Sequence, residues 1–235
     1  SEKRVATPAA AAGERPTGDR LRQFGRRVFD RQRRLVLEFP LQTRPLPTYS
    51  SPLKLHLRVA SMHDAEALLA YWRSSEYTTI DQNHMDLGLF ERRLASGDLC
   101  LAAWHDGRIV GMDWLFAKSC NCPHLGLRLD WAPGTCYGAE LFEHDELPGR
   151  GIGMALLAFS LAEAKRRGFG RQVTLVAAQN RKMLGAAIQL YGFSPIGEIR
   201  TTKLLGRRFS SWPCRLRRRS RGRRSTPRRS ARCRA

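Results

Sequence analysis

The chain has 235 residues, 41 Lys+Arg against 21 Asp+Glu, and a formal net charge of +20. That length suits one domain with extensions. A hydrophobic content of 42% excludes wholesale disorder, and the absence of any run of 18 apolar residues excludes a membrane-spanning helix.

The charge is concentrated at the ends. Residues 1–34 carry ten basic and four acidic side chains, and residues 207–235 carry thirteen Arg and no acid. Residues 35–206 hold 18 basic and 17 acidic side chains, so the middle is nearly neutral. Three units are expected on this basis: a basic N-terminal extension with a Pro-rich linker (1–52), a folded domain (53–206) and a disordered Arg-rich tail (207–235). The tail has few, aperiodic apolar residues and cannot offset its ordering entropy. It is either a polybasic arm for weak nucleic-acid or anionic-surface binding, or a tail of no selected role. The Ala9–Ala12 run is too short for a signal segment, and Glu14 and Asp19 follow it.

In chain order, the spacing of Leu21, Phe24, Val28 and Phe29 among Arg22, Arg26, Arg27, Arg33 and Arg34 predicts a short amphipathic helix. Pro45, Pro47 and Pro52 mark the linker. Leu55–Ala60 alternates as a strand, and Ser61 opens a helix with Ala65, Leu68, Leu69 and Trp72 on one face. A second helix is expected over His84–Leu94, stopped by Ser96-Gly97. Asp106-Gly107 between two apolar runs, Leu99–Trp104 and Ile109–Phe116, signals a hairpin. Lys118–Gly134 reads as a long polar loop, with room for a short ordered piece, and Tyr137–Phe142 as a strand. A glycine-rich turn then opens a helix running to about Arg167. A strand over Gln172–Ala178, a short helix over Met183–Leu190 and a return strand over Ser194–Leu205 complete the domain. The order β-α-α-β-β-β-α-β-α-β predicts a mixed α/β (α+β) domain with one central sheet.

The six cysteines contain no CxxC pair; Cys120-Asn121-Cys122-Pro123-His124 is their only local cluster and lacks a usual zinc spacing. No metal is expected. Cys100, in an apolar strand, reads as a small buried hydrophobe. With no export signal, reduced thiols in a cytoplasmic protein are the default.

The segment Leu147-Pro148-Gly149-Arg150-Gly151-Ile152-Gly153-Met154 carries the clearest chemistry. A strand entering a Gly-rich turn that opens a helix offers free N–H groups and a favourable dipole to an anion. Glycine lets the backbone approach a pyrophosphate, and Arg150 adds a cation. The pattern is neither a Rossmann fingerprint nor a Walker A loop. Together with Asn180 after the next strand, and Gly192-Phe193 closing the following helix, it resembles the GCN5-related N-acetyltransferase (GNAT) family over residues 55–205. The family pattern Gln/Arg-x-x-Gly-x-Gly/Ala matches at Gly151 and Gly153 and departs at Pro148.

The resemblance implies a GNAT-like acyl-CoA N-acyltransferase fold. It also implies acetyl-CoA as cosubstrate, with its pyrophosphate on the amides of Gly149, Arg150, Gly151, Ile152, Gly153 and Met154. The pantetheine arm would follow Leu141, Phe142 and Glu143, near Asn180, and a small-molecule amine would enter from the opposite side of the sheet. Acetyl transfer needs a neutral amine, a polarised carbonyl and a proton for the leaving thiolate. Glu140, which interrupts an apolar strand, is the candidate base or else a residue of the strand's solvated face. The family's acid position, a Tyr four residues before the Gly of Gly-Phe, is Ile188 here. Tyr191 lies on a different helical face and takes no family role; it is a candidate acid, the alternatives being that the thiolate leaves with solvent help or that the acid comes from elsewhere. Trp104, Asp113, Trp114 and Trp131 line an acceptor pocket or pack the core. The expected activity is N-acetyl transfer to a primary amine of a small molecule or amino sugar. The alternatives are a non-catalytic CoA-binding module and a nucleic-acid or ribosome-associated module using the Arg-rich ends.

Overall fold

The computed structural model of the chain describes residues 29–74, 85–122, 125, 127–143, 147, 149–204 and 207–211. Ten strands and four α-helices are formed among them. The strands are β1 (Phe29–Pro40), β2 (His56–Val59), β3 (Leu99–His105), β4 (Arg108–Phe116), β5 (Ser119–Cys122), β6 (Leu127–Asp130), β7 (Thr135–Glu143), β8 (Arg171–Ala177), β9 (Ser194–Leu204) and β10 (Arg207–Ser211). The helices are α1 (Ala65–Ser74), α2 (Leu87–Ala95), α3 (Ile152–Arg166) and α4 (Arg181–Gly185), the last running into a π-turn over Ala186–Leu190.

Eight strands make one sheet in the order β10-β9-β1-β8-β7-β4-β3-β2. Every neighbouring pair is antiparallel except β7 and β8, which run parallel. The mixed α/β expectation therefore holds. Helices α1 and α2 and the small β5–β6 hairpin cover one face, over a core that includes Leu68, Phe90, Trp114, Leu125 and Tyr137. Helix α3 covers the other, over Leu37, Phe39, Leu101, Ile152, Leu156 and Phe193. Asp106 (φ 47°) and Gly107 (φ 75°) both take positive φ, as a two-residue hairpin turn requires. Among the described residues no helix is long and apolar enough to cross a membrane.

Three expectations change. Residues 29–34, expected in a basic helix, belong to β1, which lies inside the sheet between β8 and β9. Leu35, Leu37 and Phe39 face the α3 side and Val36 the other, so this strand is buried on both faces. The spacing of Leu21–Phe29 suggested a helical period, but the burial of residues 35–41 overrides it; residues 21–28 lie outside the described set. The folded unit thus starts before residue 52. At the other end it passes residue 206, because Arg207–Ser211 pairs with β9 as β10; residues 212–235 lie outside the described set. Finally, the expected loop over Lys118–Gly134 contains the β5–β6 hairpin. Cys120, Cys122, Leu125 and Leu129 are all buried, so the segment has an apolar face that its polar residues obscured.

Candidate active site

The site is made by a fault in the sheet. The ladder between β7 and β8 stops at the pair Gly138↔Thr174, and the two strands part from there. On its other edge β7 carries a bulge against β4: Met112 faces Phe142 and Trp114 faces Ala139, so Asp113 opposes both Glu140 and Leu141. Glu140 takes φ 60°, a left-handed conformation that costs a non-glycine residue about 1–2 kcal/mol and turns the strand aside.

A cavity of about 1140 Å³ runs through this gap. On the α3 face it is lined by Tyr49, Gly149, Gly151, Gly153, Asn180 and Lys182. On the α2 face it is lined by Arg34, Trp72, Arg93, Cys120, Tyr137 and Glu140. A molecule threading the gap reaches both faces.

The glycine turn has the geometry expected of an anion cradle. Gly149 and Gly151 both have φ 74°, and Gly151 is the residue from which α3 starts. A Cβ on Gly151 would run into the hydroxyl of Tyr49, and one on Gly153 would press on the carboxylate of Glu143. The Gly153 N–H donates to that carboxylate at 3.2 Å, and Lys182 Nζ lies 3.7 Å from its other oxygen. The start of α3 therefore already holds a negative charge, as its dipole favours.

On the α2 face, Arg93 donates to both oxygens of Glu140 at 2.6 and 3.1 Å. The guanidinium lies over the rings of Trp114 and Phe116, 4.8 and 4.9 Å from their centroids. This two-point pair fixes the carboxylate at the bulge. Between the faces sits Asp113, 2% exposed. Burial pushes its carboxyl up to about 8, against the opposing pull of a Ser160 hydrogen bond and the Trp114 backbone, while the charge of Glu140 adds to the rise. Ser160 is in turn hydrogen-bonded by Gln172 Nε2 at 3.2 Å, which places a buried polar cluster at the floor of the gap.

The model of the acetyltransferase (GNAT) family matches residues 65–193, more than half of the chain. The chain belongs to the GNAT family. Solved structures agree with that fold. A Drosophila protein superposes with a TM-score of 0.53 at 15% identity, covering 80% of this chain and 57% of that one. A putative GNAT-family acetyltransferase from Novosphingobium aromaticivorans gives 0.51 at 16%, with 74% and 63% covered. A GCN5-related glucosamine N-acetyltransferase region of a fungal multi-domain GH3 beta-N-acetylglucosaminidase gives 0.54 at 14%, with 83% and 23% covered. The chain spans less than two thirds of the length of each of these three. No curated protein matches it.

Within this GNAT domain the expected site residues separate. Glu140, Leu141, Phe142, Glu143, Gly149, Gly151, Gly153, Met154 and Asn180 all line the cavity. Asn180 also caps α4, its side-chain oxygen accepting from Met183 N at 3.0 Å. Ile152 is fully buried in the α3 core and does not line the cavity. Arg150 is exposed and outside the lining, with its carbonyl accepting from the Ser51 hydroxyl at 2.8 Å; Lys182 is the cation beside the cradle. Tyr191 is 4% exposed, donates its hydroxyl to the Met154 carbonyl at 2.7 Å and does not line the cavity. Burial pushes its phenol well up, so it acts here as a strut between the last helical turn and α3. Of the four candidate pocket residues, only Asp113 lines the cavity; Trp104, Trp114 and Trp131 belong to the core of the α2 face.

Sequence reasoning missed Arg34, Tyr49, Arg93, Lys182 and the Ser160–Gln172 pair that bonds beneath Asp113, itself one of the expected pocket residues. Asp113 had a signal, a carboxylate inside the apolar run Ile109–Phe116. The others sit on elements whose role only tertiary packing assigns. Cys120 and Cys122 bring their sulfurs to 3.7 Å on the cavity wall, yet among the described residues no group of three metal-ligating side chains is assembled.

Proposed function

We propose that the chain transfers the acetyl group of acetyl-CoA to the primary amine of a small molecule or amino sugar. The single observation that carries this reading is the cavity that passes through the β7–β8 gap and joins the glycine cradle of α3 to the face bearing Glu140.

The residues fit the cosubstrate. Gly149 has open space where a Cβ would stand, and the Gly153 amide already binds a carboxylate. In this reading the amides of the turn hold the pyrophosphate, with Lys182 beside them. Leu141 and Phe142 flank the pantetheine arm where β7 has left β8. The bound cosubstrate supplies the thioester carbonyl.

The chain's own groups do the rest. Glu140, held by Arg93, stands on the acceptor side and receives the proton of the incoming ammonium. Asp113 stays protonated at neutral pH and keeps the floor of the gap uncharged. As the amine nitrogen bonds to the acetyl carbon, the carbon–sulfur bond breaks, and the proton that the acylated nitrogen gives up ends on the departing thiolate, giving an N-acetyl amine and CoA thiol.

A thermal shift with acetyl-CoA tests binding, and release of CoA thiol over an amine panel tests turnover. A cosubstrate at 100 times its Kd stabilises the native state by about 2.7 kcal/mol, which moves Tm by several degrees. No shift at millimolar acetyl-CoA overturns the reading.

A further inference from the structure

The acceptor half of the cavity is strongly basic. Arg34, Arg92, Arg93 and Arg128 line it against the carboxylates of Asp98 and Glu140. Most of these charges are already satisfied. Arg93 is spent on Glu140, and Arg128 donates to Asp130 at 3.0 Å. Asp98 accepts from Ala117 N at 2.9 Å and Ser96 Oγ at 2.8 Å.

Arg34 is different. It follows the same face of β1 as Val36, two residues on, in the α2-side core, where an apolar side chain would be expected. Its Nε is buried without a hydrogen-bond partner, and no carboxylate pairs with it among the described residues. Its Nη2 donates to Gln32 Oε1 at 3.2 Å. Burial lowers its ordinary affinity for the proton, the direction expected of a guanidinium held away from water. Trp72, on the same cavity wall, also has a buried indole N–H with no partner among the described residues. Tyr137 lines the same cavity as Arg34 and Glu140, so the unpaired cation and the paired carboxylate border one space. A half-buried cation whose Nε–H is out of water and unmet, next to a second unmet donor, carries a cost that a ligand would relieve.

We propose that the acceptor is an amine that also carries an anionic group, a carboxylate or a phosphate, and that Arg34 binds this group while Glu140 faces the amine. Neutral amines lack the charge that Arg34 is placed to meet. The inference rests on the acetyltransferase reading and names the substrate class of that cavity.

Matched acceptors test it at constant ionic strength: tyrosine against tyramine for a carboxylate, and glucosamine 6-phosphate against glucosamine for a phosphate. CoA release is followed for each, and a thermal shift is recorded with each amine alone. A charge-assisted contact of this kind predicts about a 10- to 100-fold preference in kcat/KM for the anionic member of at least one pair. Arg34→Gln should reduce that preference to near unity through the acceptor KM, with the KM for acetyl-CoA unchanged, and Arg34→Lys should keep part of it. Equal use of both members by the wild-type chain overturns the proposal even if no variant folds. So does a preference that survives Arg34→Gln. If acetyl-CoA neither binds nor turns over, the acetyltransferase reading fails, and the amine-only shifts still decide the binding claim. Larger shifts with the anionic members, lost in Arg34→Gln, uphold it, and equal shifts overturn it.

Discussion

Asp113→Asn isolates the energetic consequence of burying a carboxyl at the floor of the gap. In the unfolded chain this group ionises near its ordinary value of 3.8, whereas in the native state it holds its proton up to about 8. Between those values the native state binds more protons than the unfolded state. The contribution of this side chain to stability is therefore greatest at low pH, falls as pH rises from about 4 to about 8, and levels off above. Each unit in that window costs about 1.4 kcal/mol, so raising the pH from about 5 to about 7.5 removes about 3 kcal/mol through this one side chain. Asparagine has nearly the same shape, does not titrate, and leaves an amide that can still bond to Ser160. Urea unfolding of wild type and variant across this range cancels the titration of every other group. The expected result is a stability difference that moves by about 3 kcal/mol in favour of Asp113→Asn as pH rises. A difference that stays constant to within about 0.5 kcal/mol would refute the buried, proton-holding state of Asp113.

Other substitutions test the rest of the site. Glu140→Gln should lower kcat by about 100-fold or more with little change in acetyl-CoA binding, as expected for loss of a general base, measured by CoA release and calorimetry. It should also cost about 3 kcal/mol in denaturant melts, because Arg93 is left as a buried cation without its partner. Glu143→Gln removes the carboxylate that occupies the Gly153 amide, so acetyl-CoA should bind about two- to fivefold more tightly, and weaker binding would refute competition at the cradle. A chain cut to begin at residue 53 loses β1 from between β8 and β9 and should show no cooperative thermal transition; a melt like that of the full chain would refute the central role of β1.

Local pattern was enough to read several elements. The Asp106-Gly107 turn needs two positive-φ residues, and its sequence says so directly. The glycine turn and the helix after it are equally local, because N–H groups at a helix start and the absence of a Cβ are properties of adjacent residues. The resemblance built on Gly151, Gly153, Asn180 and Gly192-Phe193 led to the family. Arg150 and Tyr191 lie outside the cavity lining, because proximity along the chain does not say which way a side chain points. Arg150 turns to solvent at the lip of the cradle, and Tyr191 is tied to Met154.

The sequence by itself determined the composition of a nearly neutral folding unit, the order of most of its strands and helices, and the anion-binding turn. Each of these depends on neighbours within one or two turns of chain. Tertiary structure decided everything that depends on contacts across the sheet. It drew β1 from a segment that looked like a basic extension, because Leu35, Leu37 and Phe39 complete one core while Val36 joins the other. It opened β7 from β8 and set the carboxylate of Glu140 against Arg93, 47 positions away in sequence. It also left Arg34 half-buried on the cavity wall, its Nε out of water and without a partner among the described residues. The net charge of +20 gave no sign of these arrangements, since total charge records how many cations there are and not which of them lose their water.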